Sequence, residues 1–433
     1  MARFLEIVKM SFISFKSNIS KNSEFLWLIL GQIISILFSV VIIKIVTKIG
    51  TSDFGIYSLI LTISALVSAM LVGPSEQGFV RYFFNFNNGN DKKRFLNVIY
   101  LFFVFVGAII ILISTIFYFL QIIESPNTIL AGVFVVLFTF SSFFASLFNL
   151  IRKRKLNTFL IILEKLVATI LLIILKFYDL LNITSVLVAL STSIFVSIIV
   201  RTNCFNSVLG YNFLKDLKIL SLREYLIYKK IFIFSIPLII WGFSGWLESS
   251  SDRWIIANFS NLNTVGIYSL MMTLSSYLIA TPIGVIGQYF QPIIFEKISN
   301  KDSEDSSNKH INNFIYSCVF LVLFGVFFSL FFGKMILSFI AVDFTTFWYF
   351  LPFFSLSIGL FQIAQAYTIF GMIHEIPKIY LIPKIVLGFV SLFLNVIGVY
   401  YLQIIGLTIS MNVASFIYLI MVLMINRKVK ANL

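Results

Sequence analysis

Apolar runs of about 20 residues recur from one end of the chain to the other. A helix of that length crosses the roughly 30 Å hydrocarbon core of a bilayer. Inside that core the backbone has no water to bond, so each run must satisfy its own N–H and C=O groups as a helix. The sequence therefore predicts an all-α polytopic membrane protein.

The composition supports lipid as the solvent for most of the chain. Only 12% of the 433 residues are charged and the mean hydropathy is +1.00, whereas soluble proteins carry about 25% charged residues. We predict about twelve transmembrane helices, arranged as two pseudo-symmetric lobes of six. The predicted spans, from first to twelfth, are 25–47, 55–79, 96–120, 128–151, 156–175, 184–200, 231–252, 265–295, 311–331, 347–373, 379–399 and 404–425.

Lys and Arg are distributed unevenly between the two sets of loops. One set holds 25 of the 32 basic residues, and the opposite set holds four. Because basic residues concentrate in cytoplasmic loops, both termini are predicted to be cytoplasmic, in a multi-pass protein of the cell inner membrane. The net charge of +14 is then explained by topology and attraction to membrane lipids, and no nucleic-acid partner is expected.

This topology divides the chain into five segments. They are a cytoplasmic amphipathic segment at 1–24, an N-terminal lobe at 25–200, a cytoplasmic linker at 201–230, a C-terminal lobe at 231–425 and a basic cytoplasmic tail at 426–433. The first segment lacks the basic-then-apolar order of a signal peptide, and either an interfacial helix or a frayed basic tail fits it.

Cysteine and histidine are rare. Cys204 and Cys318 are both predicted near cytoplasmic ends of spans, where disulfides do not persist, so we expect two free thiols. His310 and His374 are too few for a metal site. We expect no metal and no cofactor.

An internal repeat links the two halves. Gly55–Leu59 recurs as Gly266–Leu270 at an offset of 211 residues, and the match continues without a gap to give 11 identities in 25 positions. Six helices separate the second span from the eighth, so both point the same way. This is a parallel repeat about an axis along the membrane normal, as in two-lobed transporters.

Polar and helix-bending residues recur within this repeat. Hydroxyl residues four positions apart share one helix face, where they either line a central cavity or allow close helix packing. Proline in a span bends the helix, which provides either a hinge or a static kink. The residues concerned are Ser58, Thr62, Pro74, Gln77, Ser269, Thr273, Pro282 and Gln288.

Several stretches around the first, second, seventh and eighth spans resemble oligosaccharide flippases. They are Asp53–Tyr57 (DFGIY), Gly73–Tyr82 (GPSEQGFVRY), Phe234–Leu238 (FSIPL), Ser249–Trp254 (SSSDRW) and Val265–Tyr268 (VGIY). The chain is most similar to O-antigen and capsular polysaccharide repeat-unit flippases of the multidrug/oligosaccharidyl-lipid/polysaccharide exporter superfamily. The resemblance implies alternating access by two lobes, with undecaprenyl-diphosphate-linked sugar units moving from the cytoplasmic to the periplasmic leaflet.

Charges inside the spans are functional candidates, because each costs at least about 2.5 kcal/mol at mid-membrane. Lys44 and Lys384 lie near span ends, and we expect them to extend to the interface. Glu164 and Lys165 are adjacent in the fifth span and point about 100° apart, so each faces its own partner or a wet cavity.

The seventh span carries the densest group of charges. Glu248 and Asp252 share one face, and Arg253 follows them. Arg81 lies at the cytoplasmic end of the second span, where a diphosphate would enter, and its guanidinium offers paired donors to phosphate oxygens. The candidate substrate-binding residues are Arg81, Lys165 and Arg253, and the candidate ion-coupling residues are Glu248, Asp252 and Glu164. Helix-end anchoring and structural ion pairs remain the alternatives.

The sequence thus predicts an ion-coupled flippase for lipid-linked oligosaccharide, with a multidrug or cation antiporter of the same fold as the alternative. Carboxylates without nearby bases would favour the antiporter. An enzyme is not expected, because the longest outer loop, at 332–346, offers only Lys334 and Asp343. Expected partners are the lipid-linked oligosaccharide, membrane lipids and a polysaccharide polymerase or ligase. The sugar unit, the coupling ion and the oligomeric state stay open.

Overall fold

A computed structural model describes residues 23–83, 86, 89–119, 128–151, 153–209, 221–299, 304–374 and 376–432. Within these residues the chain is helical and has no strand, and eleven helical stretches are long and apolar enough to cross a membrane. The last stretch contains two helices, because Gln403 interrupts it with φ 49° and ψ −130°. The predicted all-α polytopic fold with about twelve transmembrane helices is confirmed.

The helices follow the predicted spans. Short 3-10 helices at Val342–Phe350 and Pro377–Tyr380 precede the α-helices of the tenth and eleventh spans. The main helices are Ser23–Val46, Thr51–Val67, Gly73–Tyr82, Gly89–Phe119, Thr128–Leu150, Arg154–Phe177, Ile183–Leu209, Leu222–Phe259, Leu262–Ser275, Thr281–Ser299, Glu304–Ile340, Leu351–Tyr367, Ile369–Ile373 and Leu381–Asn432.

Helices extend beyond several of the predicted spans. The helix of the sixth span continues to Leu209, and the helix of the seventh span begins at Leu222. Helix therefore occupies much of the predicted linker at 201–230. The last helix likewise runs to Asn432, through the predicted tail. Hydropathy marks only the part of a helix that lipid surrounds, whereas polar residues can continue the same hydrogen-bond ladder into water. Residues 1–22 of the predicted segment at 1–24 lie outside the described residues, and Ser23 begins the first helix.

The chain divides into two compact units. The amino unit consists of Leu30–Ile49 and Ile56–Trp246. The carboxy unit consists of Gly50–Gly55 and Leu247–Leu433, together with the chain up to Ile29. The division falls inside the seventh helix, between Trp246 and Leu247, rather than in the predicted linker.

Aromatic rings form the core of the amino unit. The ring of Phe79 lies 5.8 Å, centroid to centroid, from each of the rings of Phe95, Phe102 and Phe143, in edge-on orientations. Because lipid tails are as apolar as Phe, close packing holds such helices together more than escape from water does. Edge-to-face pairs contribute about 0.5–1.5 kcal/mol each. The end of the second span is thereby fixed against the third and fourth.

Two glycines of the repeat pack against each other's helices in the carboxy unit. A Cβ added to Gly55 would lie 2.3 Å from the carbonyl oxygen of Leu262, and one added to Gly266 would lie 2.0 Å from that of Thr51. The offset of 211 residues that relates the glycines also relates Thr51 to Leu262. The Thr51 hydroxyl additionally donates to Asn263 Oδ1 at 2.7 Å. The repeat therefore forms a symmetric helix crossing that requires glycine on both sides.

The second and eighth spans each contain one π-helical turn, at Ser68–Val72 and Ser276–Ala280. In both turns the next residue donates its N–H to the carbonyl five positions back, from Gly73 to Ser68 and from Thr281 to Ser276. Pro74 and Pro282 follow two residues after the turns end. A proline lacks the N–H that an α-helix needs, so the wider turn accommodates it and the helix bends without breaking.

Candidate functional site

A polar cavity of about 240 Å³ lies within the carboxy unit. The seventh, eighth, tenth, eleventh and twelfth spans supply its walls. Glu248 and Arg253 bring charge to it. Most of its other polar atoms are hydroxyls, from Ser249, Thr273, Ser276, Ser357, Ser391 and Ser415. Such a wall can hydrogen-bond a polar solute, which lipid tails cannot do.

Glu248 forms an ion pair across the carboxy unit. Lys384 Nζ lies 3.1 Å from Glu248 Oε2 and 4.3 Å from the ring centroid of Phe361. Lys384 is only 8% exposed, so the expectation that it extends to the interface is wrong. The attraction of a carboxylate and an aromatic face inside the protein outweighs the attraction of the headgroups for this ammonium.

Asp252 is fully enclosed, at 0% exposure. Its carboxylate accepts from Arg253 Nη1 at 3.2 Å and from the hydroxyl of Tyr268. Arg253 Nη1 also donates to the carbonyl oxygen of Ser249 at 3.1 Å. Of this predicted pair of acids, Glu248 therefore faces the cavity, whereas Asp252 fixes the orientation of Arg253 and Tyr268.

The fifth span carries a second ion pair, in the amino unit. Glu164 Oε2 accepts from the Ser141 hydroxyl at 2.8 Å and lies 3.4 Å from Arg201 Nη2. Arg201 is 1% exposed and also donates to the Ser141 carbonyl at 2.9 Å and to Ser197 Oγ at 3.0 Å. Sequence reasoning placed Arg201 among loop cations and missed this role. The signal was available, because Ser193, Ser197 and Arg201 recur at four-residue spacing.

Lys165 points away from its neighbour Glu164 and is held by neutral oxygens of the first span. Its Nζ donates to Ser35 Oγ at 2.7 Å, to Ser39 Oγ at 2.5 Å and to the Ser35 carbonyl at 3.1 Å. The two adjacent charges thus have separate partners, as the helical angle between them predicts. These three hydrogen bonds occupy all the N–H donors of the ammonium, but their acceptors are neutral and do not cancel its charge.

Arg81 is exposed at the end of its helix in the amino unit. Its guanidinium carbon lies 5.0 Å from the ring centroid of Phe234, within the range of a cation–π contact. The ring orients the guanidinium and leaves its donors accessible. Lys230 makes a similar contact with the Tyr82 ring at 4.7 Å.

The repeated polar residues differ between the halves. Ser58 and Thr62 are buried, and Thr62 Oγ1 donates to the Leu59 carbonyl at 2.7 Å. Their counterpart Ser269 is also buried, whereas Thr273 lines the cavity described above. Gln77 is exposed, and its counterpart Gln288 lines a second cavity of the carboxy unit. The repeat therefore preserves these residue types, and in its second copy Thr273 and Gln288 line cavities.

No group of three or more His, Cys, Asp or Glu side chains in the described part of the chain could hold a metal ion. Both cysteines are free thiols, with Cys318 buried and Cys204 partly buried. The chemistry that these residues offer is therefore ion pairing and hydrogen bonding within a membrane.

The fold is similar to those of solved multi-pass transporters. An inward-facing MATE family multidrug resistance transporter of the MOP superfamily matches with a TM-score of 0.70 and 13% identity, over 92% of this chain and 96% of that chain. The lipid II flippase MurJ, in an inward closed conformation, matches with a TM-score of 0.71 and 14% identity, over 92% and 86%. A mutant of the Vibrio cholerae MATE transporter VcmN matches with a TM-score of 0.61 and 14% identity, over 100% and 99%.

At these identities the comparisons establish the fold, which is that of a multi-pass membrane protein of the MATE and MurJ type. The chain belongs to the polysaccharide biosynthesis protein family (Polysacc_synt), which matches residues 23–296. That region includes both copies of the repeat and the acidic part of the seventh span. A comparison with curated proteins gives no match.

Proposed function

We propose that this protein is a flippase of the inner membrane. It moves undecaprenyl-diphosphate-linked oligosaccharide repeat units, such as those of O-antigen in lipopolysaccharide or of a capsule, from the cytoplasmic to the periplasmic leaflet by alternating access. The observation that carries the proposal is a hydroxyl-lined cavity with paired charges, inside a member of a polysaccharide biosynthesis family. The protein performs no covalent chemistry in this role.

The physical problem that such a protein solves is the transfer of a polar headgroup. A diphosphate and its sugars cannot cross hydrocarbon bare, because each unpaired polar group costs several kcal/mol there. Serine and threonine hydroxyls replace the hydrogen bonds of water, and the polyprenyl tail stays in lipid. Binding must remain weak enough for release, so dispersed donors suit transport better than a tight clamp.

The cavity suits an anionic, sugar-bearing group better than a drug cation. Glu248 is paired with Lys384, and the acid next along its face, Asp252, is paired with Arg253. A cationic drug would have to displace a tethered ammonium or guanidinium from these carboxylates, whereas Arg253 pairs through Nη1 alone and keeps other N–H donors for an anion. We assign Arg253 to the headgroup and Glu248 to ion coupling, since both line the cavity.

The remaining candidates have supporting roles in this proposal. Arg81 and Lys165 supply positive potential to the diphosphate, from an exposed helix end and from a serine-held ammonium respectively. Asp252 and Glu164 hold Arg253 and Arg201 in place. A polysaccharide polymerase or ligase receives the product on the periplasmic side.

Deletion of the gene in its natural host tests the proposal. Undecaprenyl-linked sugar units should accumulate and surface polysaccharide should disappear, and a plasmid copy should reverse both effects. Unchanged lipid-linked intermediates together with sensitivity to cationic drugs would replace the flippase with an antiporter.

A further inference from the structure

A second cavity of the carboxy unit differs in chemistry from the first. It also measures about 240 Å³, and the eighth, ninth and tenth spans line it. Amide side chains dominate its polar lining, from Gln288, Gln291, Gln362 and Gln365. No Asp, Glu, Lys or Arg is among its lining residues. A charged ligand would find no counter-charge there.

Three of these amides have donors and acceptors that bond no other protein group. Within the described residues, the side chains of Gln288, Gln291 and Gln362 make no hydrogen bond to another protein group. The fourth, Gln365, donates from Nε2 to the Tyr418 hydroxyl at 3.2 Å. Gln288 and Gln291 are exposed and Gln362 is partly buried, so their free donors and acceptors are open to water or to a ligand.

The amides match one class of ligand. Each offers two N–H donors and one C=O acceptor without charge, and a sugar hydroxyl both donates and accepts. Phe314 contributes an apolar wall on which the carbon face of a sugar ring can pack. The volume is below the roughly 300 Å³ at which pockets for drug-sized ligands begin, so the cavity suits one sugar ring rather than an entire oligosaccharide.

The two cavities are adjacent. Gln362 lines both of them. Tyr418, the partner of Gln365, stacks on Phe361 with ring centroids 5.7 Å apart, and Phe361 carries the ammonium of Lys384 on its face. A ligand that spans both cavities would present its anionic group to Arg253 and its neutral hydroxyls to the glutamines.

We infer that the glutamine-lined cavity is a binding subsite for one uncharged sugar residue. The inference rests on the proposed function, because it assigns a part of that substrate to a part of the protein. It places recognition of the sugar in the carboxy unit, in a cavity other than the one that Arg253 lines.

Saturation-transfer NMR on the full-length protein in lipid nanodiscs tests the subsite, with methyl N-acetylglucosaminide as the neutral probe and methyl glucuronide as the acidic one. The neutral probe should give a signal at least threefold stronger than the acidic one. The double variant Gln291→Leu/Gln362→Leu should lower the neutral signal at least fivefold. Gln32→Leu, which changes an exposed glutamine of the first span, should retain it.

A variant that fills the cavity tests the subsite without changing any of the glutamines. A Cβ at Gly284 meets no atom within 4 Å, so Gly284→Leu should place its side chain in the cavity and also abolish the signal. An unchanged signal in both variants, or equal signals from the two probes, overturns the subsite.

The gene deletion reports separately on the proposed function. Accumulation of lipid-linked sugars without sugar binding would reject only the subsite. Sugar binding without accumulation would support the subsite and reject the flippase.

Discussion

Lys384 and Glu248 are 136 residues apart in sequence, yet their charged atoms lie 3.1 Å apart inside the carboxy unit. The pair joins the seventh span to the eleventh at the wall of the hydroxyl-lined cavity. Two charges so placed satisfy each other, and removal of one leaves the other uncompensated.

The single substitution Lys384→Met should destabilise the protein by about 3–5 kcal/mol, because Glu248 is then a buried charge without its partner. The double variant Glu248→Gln/Lys384→Met should recover most of that loss. Thermal unfolding in detergent, followed by size-exclusion chromatography, measures both. The control is Asp91→Asn, which breaks an exposed pair with Arg94 at 3.3 Å and should cost less than about 1 kcal/mol. Equal stability of the single and double variants would contradict a structural pair.

Gly266→Ala should destabilise the carboxy unit by about 1–3 kcal/mol, since the added methyl group cannot fit 2.0 Å from the Thr51 carbonyl oxygen. Gly55→Ala should act similarly, because the crossing is symmetric. Gly284→Ala is the matched control, as its Cβ meets open space in the same span as Gly266. The same unfolding assay applies. Tolerance of alanine at Gly266 would show that the two helices separate more easily than the crossing suggests.

Arg81→Glu should lower export at least tenfold with normal protein abundance, because the side chain is exposed and, in the proposed mechanism, its charge attracts the diphosphate. Lys165→Gln should also lower export, since it keeps a hydrogen-bond donor near Ser35 and Ser39 but removes the charge. Lys153→Glu, at another exposed position, controls for the change of charge alone. Complementation of the deletion strain, scored by surface polysaccharide and by immunoblot, separates the outcomes. Full export in both variants would remove these cations from the mechanism.

Single cysteines at Lys153 and Lys176, introduced into a protein without Cys204 and Cys318, should react from opposite sides of the membrane. Both positions are exposed and lie near opposite ends of the fifth span. A membrane-impermeant maleimide added to whole cells should label only position 176 if the termini are cytoplasmic. Labelling of both positions from one side would refute the predicted topology.

The fold was largely predictable because the constraint is local. Twenty apolar residues in lipid must form a helix whatever surrounds them, so the spans could be read from the sequence window by window. Helix ends were less predictable. The helix of the seventh span begins at Leu222 and ends at Phe259, beyond its apolar centre on both sides. Nothing in its flanking residues interrupts the backbone hydrogen bonds.

The site was less predictable because its geometry depends on pairs distant in sequence. Glu164 could be recognised as needing a partner, but the four-residue spacing that ends at Arg201 does not say which acid that arginine meets, 37 residues away in sequence. Lys384 was misread for the same reason. The repeat identified Gln288 as a candidate, yet Gln291, Gln362 and Gln365 became visible only when separate helices brought them to one cavity.

The second and eighth spans bend at positions that differ between the two copies of the repeat. With the offset of 211 residues, Pro282 corresponds to Leu71 and not to Pro74, a shift of three residues, and the π-helical turn has shifted with it. If the halves descend from one duplicated ancestor, the bend has moved by nearly one helical turn, or about 4.5 Å along the axis. Duplication would then have supplied two copies of one helix, and later substitution would have given each copy its own π-helical turn.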